Sequence, residues 1–257
     1  MKIAVLGAGA VGGAIGGYLT QAGRDVTLID MWPANIDRIK TNGLTVTPQE
    51  KEFTVQAKAL HIGEVSTVGE TFDIVFLSVK SYDTGWASKF ILPHLSSSGY
   101  IVSAQNGIND SIIAETVGWT RTVGCVVILG AGMYEPAHVL RTSNADSLSF
   151  KVGELTGLAS QRVKELRLIL NDVGPTKLTT NLWGERWAKL ATNSMANALA
   201  GITGLKSADI RHERRTRELA IRVAAELVDV AQSMGVIVEP IGGIDSGIYK
   251  KALSSDS

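Results

Sequence analysis

Six residues, Gly7-Ala8-Gly9-Ala10-Val11-Gly12, lie between an apolar run and an amphipathic stretch, and their spacing is G-x-G-x-x-G. In a strand–turn–helix setting this pattern cradles the pyrophosphate of a dinucleotide. Gly7 permits the tight turn, Gly9 lets backbone come close to the phosphates, and Gly12 lets the following helix pack closely on the strand. The start of that helix adds amide donors and the positive end of its dipole. Asp30 ends the next apolar run, where a carboxylate accepts hydrogen bonds from an adenosine ribose. A 2′-phosphate beside Asp30 would meet like charge, and Met31 and Trp32 bring no cation, so NAD is expected in preference to NADP. Arg38 and Lys40 would restore NADP binding if their helix turned them inward. Asp30 also suits a second role, capping a helix that begins at Trp32-Pro33.

A second group lies far along the chain. Lys189, Asn193 and Asn197 follow one another at i, i+4, which at about 100° per residue puts them on one helical stripe. Trp183, Trp187, Leu190, Ala191, Met195 and Ala198 fall on another arc and supply packing, while Ala196 and Ala200 leave room for a ligand near the polar stripe. One cation and two amides suit an anionic substrate bearing a carbonyl. The competing reading is a solvated helix face, but asparagine is a mediocre helix former and exposed faces more often carry Glu–Lys pairs.

The elements that must position these groups can be read from apolar periodicity. Short runs at Ile3–Leu6, Val26–Ile29, Ile74–Val79 and Tyr100–Ser103 alternate with amphipathic stretches, as parallel strands joined by crossover helices do. Gly7, Asp30, Lys80 and Asn106 then fall near the carboxyl ends of neighbouring strands, where open α/β sheets bind ligands. Between Val123 and Val152 glycines and Pro136 break the pattern into what reads as hairpins or a meander closing the first domain. A helix is expected over about Ser160–Asn171, a short strand near Thr176–Thr179, and helix from Leu182 onward, with a long segment Arg214–Met234 stopped by Gly235. The predicted fold class is α/β: a Rossmann-type parallel sheet over residues 1–180 that binds the dinucleotide, then a smaller all-helical domain over 181–257 for substrate and dimerisation.

Composition narrows the function classes. The 257 residues balance 25 basic against 25 acidic side chains, and no basic block stands out, so a nucleic-acid partner is not expected. Cys125 is the only cysteine and fits a reducing compartment. Met1–Leu6 reads as a strand rather than a secretory leader, and apolar runs break well before membrane-spanning length, so a cytoplasmic protein without a membrane partner and without a metal is expected.

Taken together, GAGAVG, the Ser78-Val79-Lys80 strand end, the Gln105-Asn106-Gly107 turn and the Lys189/Asn193/Asn197 helix occur in the order and spacing of the ketopantoate reductase family, which the chain resembles over nearly its whole length. The resemblance implies a two-domain enzyme with substrate held between a Rossmann domain and a helical one. It also implies Lys189 as general acid and Asn106 positioning nicotinamide and substrate. Lys80 would line the cofactor site, and Asn193 and Asn197 would bind a 2-keto acid. Many members carry a basic or small polar residue where this chain has Asp30, so the NAD-using D-2-hydroxyacid dehydrogenases of the same superfamily are an alternative model, in which the substrate would be a branched or aromatic 2-keto acid. The family also continues into a segment with a glutamate and an Asn-Gly that complete the pocket. This sequence reaches Ser254-Ser255-Asp256-Ser257 without a match, and its second domain is expected to be incomplete. Two alternatives remain: a β-hydroxyacid dehydrogenase, against which the Trp183-Gly-Glu-Arg-Trp187 helix start argues, and a dinucleotide-sensing protein without catalysis.

Overall fold

In the first strand, β1 (Lys2–Leu6), Ile3 and Val5 enter one apolar cluster while Ala4 and Leu6 enter another. Successive strand side chains face opposite ways, so a strand apolar at every position needs cover on both faces. The computed structural model describes residues 1–254; Ser255-Asp256-Ser257, where the sequence was expected to stop short of a pocket-completing segment, lies outside the described residues. The chain divides into two compact units, Met1–Thr180 and Asn181–Ser257.

In the first unit the strands run β2 (Asp25–Asp30), β3 (Leu44–Thr47), β4 (Phe53–Val55), β5 (Lys58–His61), β6 (Phe72–Leu77), β7 (Leu95–Ser103), β8 (Thr122–Val127), β9 (Ala131–Glu135), β10 (His138–Arg141), β11 (Phe150–Glu154) and β12 (Thr176–Leu178). Eight of them form one sheet in the order β12-β11-β8-β7-β6-β1-β2-β5. Every pairing in it is parallel except β8 with β11. Its helices are α1 (Ala10–Gln21), α2 (Pro33–Asn42), α3 (Val65–Val68), α4 (Thr84–Ile91), α5 (Asp110–Val117) and α6 (Gln161–Leu170). Apolar residues of α1, α2 and α6 belong to one cluster and those of α4 and α5 to the other, so both faces of the sheet are covered. The chain leaves β1 toward β2 on one side and later crosses to β6 on the other, which makes the carboxyl end of β1 a topological switch point.

The expected meander over Val123–Val152 is only partly present. β8 continues the parallel sheet and β11 returns antiparallel beside it, while β9 and β10 form a hairpin turned at Pro136 and Ala137. That hairpin joins β3 and β4 in a separate four-stranded sheet, order β4-β3-β10-β9, in which β10 pairs parallel to β3. This small sheet packs on α1. A methyl on Gly13 would meet Val139 Cγ2 at 2.7 Å, and one on Gly17 would meet Val46 Cγ2 at 2.7 Å. On the opposite side, a methyl on Gly16 would meet Leu28 Cδ2 at 2.2 Å. Glycine inside a helix costs about 1 kcal/mol relative to alanine; here close contact with two sheets offsets it.

The second unit contains α7 (Leu182–Asn193), a π-helical turn (Ser194–Ala198), α8 (Leu199–Thr203), α9 (Ser207–His212), α10 (Arg214–Ser233) and α11 (Ser246–Ser254). Asn181 caps α7 by accepting the Gly184 N–H at 3.1 Å. Its amide also donates to the Ile237 carbonyl at 2.9 Å, which ties a non-helical stretch between α10 and α11 to the start of α7. Helix does not run unbroken from Leu182: Gly235, at φ +79°, ends α10, and the chain stays irregular until Ser246. Ala188 and Ala191 of α7 meet Ala224, Ala225, Val228 and Ala231 of α10 in a core of small residues.

Candidate active site

At the carboxyl end of β1, Gly7 adopts φ +97°, a value that favours glycine, and its N–H donates to the Ile29 carbonyl at 2.8 Å. A methyl there would lie 2.7 Å from the Val79 nitrogen. Gly12 is still more confined, since a methyl would sit 1.9 Å from the Gly7 carbonyl oxygen. Gly9 differs, with no atom of the chain within 4 Å of such a methyl. Two of the three glycines are therefore demanded by the fold and the third faces open space. Gly9 is also the N-cap of α1, with no side chain capping it and no acid in the first turn. The amides and dipole of a twelve-residue helix are thus left for an anion. Ala8 is fully buried, and Ala10 and Val11 are half-buried behind the turn.

A cavity of about 220 Å³ opens on this turn, lined among others by Gly7, Gly9, Asp30, Ser78, Lys80 and Tyr82. Asp30 is half-buried at the end of β2, and its Oδ1 accepts the Trp32 N–H at 2.9 Å. The cap of α2 is Trp32, so Asp30 tightens the turn before the helix and lines the cavity as well. Lys40 is committed elsewhere, paired with Glu64 at 2.7 Å, and Arg38 stands exposed. The Ser78 hydroxyl is buried at the cavity wall without a hydrogen-bond partner among the described residues. An open glycine, an uncapped helix start and an orphaned hydroxyl fit a dinucleotide that brings phosphate and hydroxyl oxygens.

Asn106 follows β7 on the adjoining loop, exposed and outside the lining of that cavity. Its carbonyl accepts from Ser81 Oγ and from Asn109 Nδ2, both at 3.0 Å, so the loops after β6 and β7 are joined next to Lys80. Behind them the buried Gln105 amide donates to the Val79 carbonyl at 2.7 Å and to Thr84 Oγ1 at 3.0 Å. Ser81 and Asn109 were not singled out from the sequence, and Gln105 was named only as part of the turn around Asn106; the only signal for their role was a cluster of polar residues directly after a strand.

In the second unit Lys189 is half-buried on α7, and burial holds its ammonium below the ordinary lysine range. Asn193, the last residue of α7, lies one α-helical turn further on. Asn197 departs from the expected stripe. It falls in the π turn, where i→i+5 bonding reduces the rotation per residue, and it is exposed. The stripe therefore holds for Lys189 and Asn193 and is offset at Asn197. Of the packing arc, Ala191 is buried and Trp187 and Met195 pack against the core, but Ala198 is exposed. Glu185 and Arg186, to which the sequence reading gave no role of their own, are both buried.

The model of the family described as ketopantoate reductase PanE/ApbA matches residues 3–157, and that of its C-terminal part matches residues 181–249. The chain belongs to the ketopantoate reductase family. Among curated relatives, the 2-dehydropantoate 2-reductase of Pyrococcus horikoshii is 31% identical over 238 residues, spanning 92% of this chain and 75% of that protein. The crystal structure of a family member from Ralstonia eutropha JMP134 superposes with a TM-score of 0.82 at 28% identity, covering 99% of this chain and 80% of its own. D-mandelate dehydrogenase, solved with NADH and anilino(oxo)acetate, superposes with a TM-score of 0.85 at 23% identity over 93% of this chain and 76% of its own, a likeness of fold. Membership makes the chain an oxidoreductase dependent on a nicotinamide dinucleotide. No helix among the described residues is long and apolar enough to cross a membrane.

Proposed function

We propose that this chain reversibly reduces a 2-keto acid to a D-2-hydroxy acid with NAD(H), the first unit binding the dinucleotide and the second the substrate. The observation that carries the reading is Lys189, an ammonium destabilised by burial on the same helix face as Asn193. The nicotinamide, when bound, supplies or takes up the hydride. As hydride reaches the carbonyl carbon, negative charge gathers on oxygen; Lys189 stabilises that charge and donates its proton there, and water reprotonates it after product leaves. A lowered pKa makes the ammonium the stronger acid. Asn193 and Asn197 bind the substrate, Asn106 positions substrate and nicotinamide, and Lys80 lines the cofactor site. Gly7 to Gly12 hold the pyrophosphate.

Asp30 supports NAD over NADP, because it lines the cavity while Lys40 is tied to Glu64. The same reading places the enzyme in the cytoplasm, in line with a single, buried cysteine. It also makes it a homodimer, in line with exposed Ile202, Leu219, Val230, Met234 and Ile248 on the second unit. The test is oxidation of NADH and NADPH against a panel of 2-keto acids, with light scattering for the dimer. Absence of turnover with every acid would reject the enzymatic reading, and turnover of 3-hydroxy acids alone would move the chain to the β-hydroxyacid dehydrogenases.

A further inference from the structure

Beside Asp30, on the neighbouring strand, lies His61: in the parallel pairing of β2 with β5 the two residues are register partners. The half-buried imidazole makes two backbone hydrogen bonds. Its Nδ1 accepts the Gly63 N–H at 3.2 Å, and its Nε2 lies 3.1 Å from the Met31 carbonyl oxygen. An amide N–H can only donate, so Nδ1 must carry the lone pair and Nε2 the hydrogen. The neutral ring thus ties the turn after β2 to the turn after β5. Met31 and Ile62, one from each turn, both line the dinucleotide cavity.

Protonation changes both charge and geometry. A hydrogen on Nδ1 would face the Gly63 N–H, donor against donor, and open the cap that holds the Ile62–Glu64 turn. It would also put a positive charge next to Asp30. The charged groups around the ring are Asp30 from β2, Glu64 from the turn, and Lys40 from α2; Asp37 and Arg38, also on α2, are exposed. The Lys40 bond, with the His61 backbone N–H, holds the Glu64 carboxyl below its ordinary range.

We propose that His61 is a positioning residue that makes the choice between NAD and NADP depend on pH: neutral, it supports discrimination by Asp30, and protonated, it offsets the repulsion of a 2′-phosphate. The inference rests on Asp30 facing the ribose, as the functional reading has it.

The test is calorimetric binding of NAD+ and NADP+ to the intact chain at about pH 8 and about pH 5.5, on either side of the range in which imidazole ordinarily titrates. The variants are His61→Asn, which can still accept from Gly63, and His61→Gln, which can still reach Met31; neither titrates. The preference for NAD+ should fall about fivefold more in the native chain than in either variant on acidification, the size of one partly screened charge pair. Titration of the 2′-phosphate itself is common to all and drops out. Equal pH dependence in native chain and variants overturns the inference. Asp30→Ala at pH 8 separates the underlying reading: an unchanged preference rejects the role of Asp30, whereas a changed preference without His61 dependence rejects only the switch. If either variant fails to fold, the native protein still decides by NMR. Linkage requires bound NADP+ to raise the His61 titration midpoint above that with NAD+, and equal midpoints overturn the proposal.

Discussion

The Asn35 carboxamide reaches from α2 to the Ala8 carbonyl, donating at 3.1 Å, and so anchors the middle of the glycine-rich turn from behind. Its oxygen accepts the Ala137 N–H at 2.8 Å in the β9–β10 hairpin, where Ala137 holds φ +57°. Asn35 is fully buried. One side chain therefore satisfies two buried backbone groups from segments more than a hundred residues apart in sequence, and the phosphate cradle and the small sheet share a fastening.

Replacing Asn35 with alanine leaves the Ala8 carbonyl and the Ala137 amide buried without partners. Urea unfolding should show a loss of about 2–4 kcal/mol, one unmade bond at each end. Leucine is expected to do no better, since the cost lies in the unpaired groups rather than in lost volume.

Gly9 and Gly12 should respond in opposite ways to the same added methyl. Gly9→Ala meets open space and should change stability by less than about 1 kcal/mol, yet weaken NADH binding at least about tenfold because the methyl lies where phosphate must approach. Gly12→Ala drives into the Gly7 carbonyl and should destabilise the fold by about 1–3 kcal/mol. Thermal melts paired with calorimetry would separate the two; a Gly9 variant that binds NADH normally would reduce the motif to a turn.

Lys189→Ala should lower kcat for keto acid reduction by about 10²–10⁴, the range for a general acid, while NADH affinity changes less than about twofold. Stopped-flow reduction and cofactor titration measure the two separately.

Because burial depresses the Lys189 pKa, the reduction rate should fall on an alkaline limb centred below the ordinary lysine value of about 10.4. Oxidation of the hydroxy acid, which needs the neutral amine, should rise over the same limb. Stability follows the same sign. The folded chain binds this proton less well than the unfolded chain, so burying the ammonium costs stability at neutral pH, and the cost fades as pH rises from the folded toward the unfolded pKa. Lys189→Met should therefore raise Tm at pH 7 and lose that advantage above about pH 10.4. Equal Tm differences at both pH values would contradict a buried ammonium.

Much of this could be read from residue types. β1, β2, β6 and the end of β7 were legible because strands covered on both faces are apolar at nearly every position, and the glycine spacing marked the turn that follows the first. The small sheet was not, since its parallel β3–β10 pair joins residues 44–47 to 138–141 and no local pattern announces a partner so remote. Asn35 was invisible for a different reason: an asparagine on a helix reads as surface until the buried carbonyl behind it is known. The π turn around Asn197 was likewise hidden, because residue types do not distinguish i→i+4 from i→i+5 bonding.

The glycines of α1 carry one more implication. With one sheet against Gly16 and another against Gly13 and Gly17, the helix can neither tilt nor slide without a collision, so its first turn is aimed by masonry rather than by the visitor it receives. If the proposed cofactor site is right, the short span after β2 can then be rewritten to exchange NAD for NADP while the turn that meets the diphosphate stays where it is.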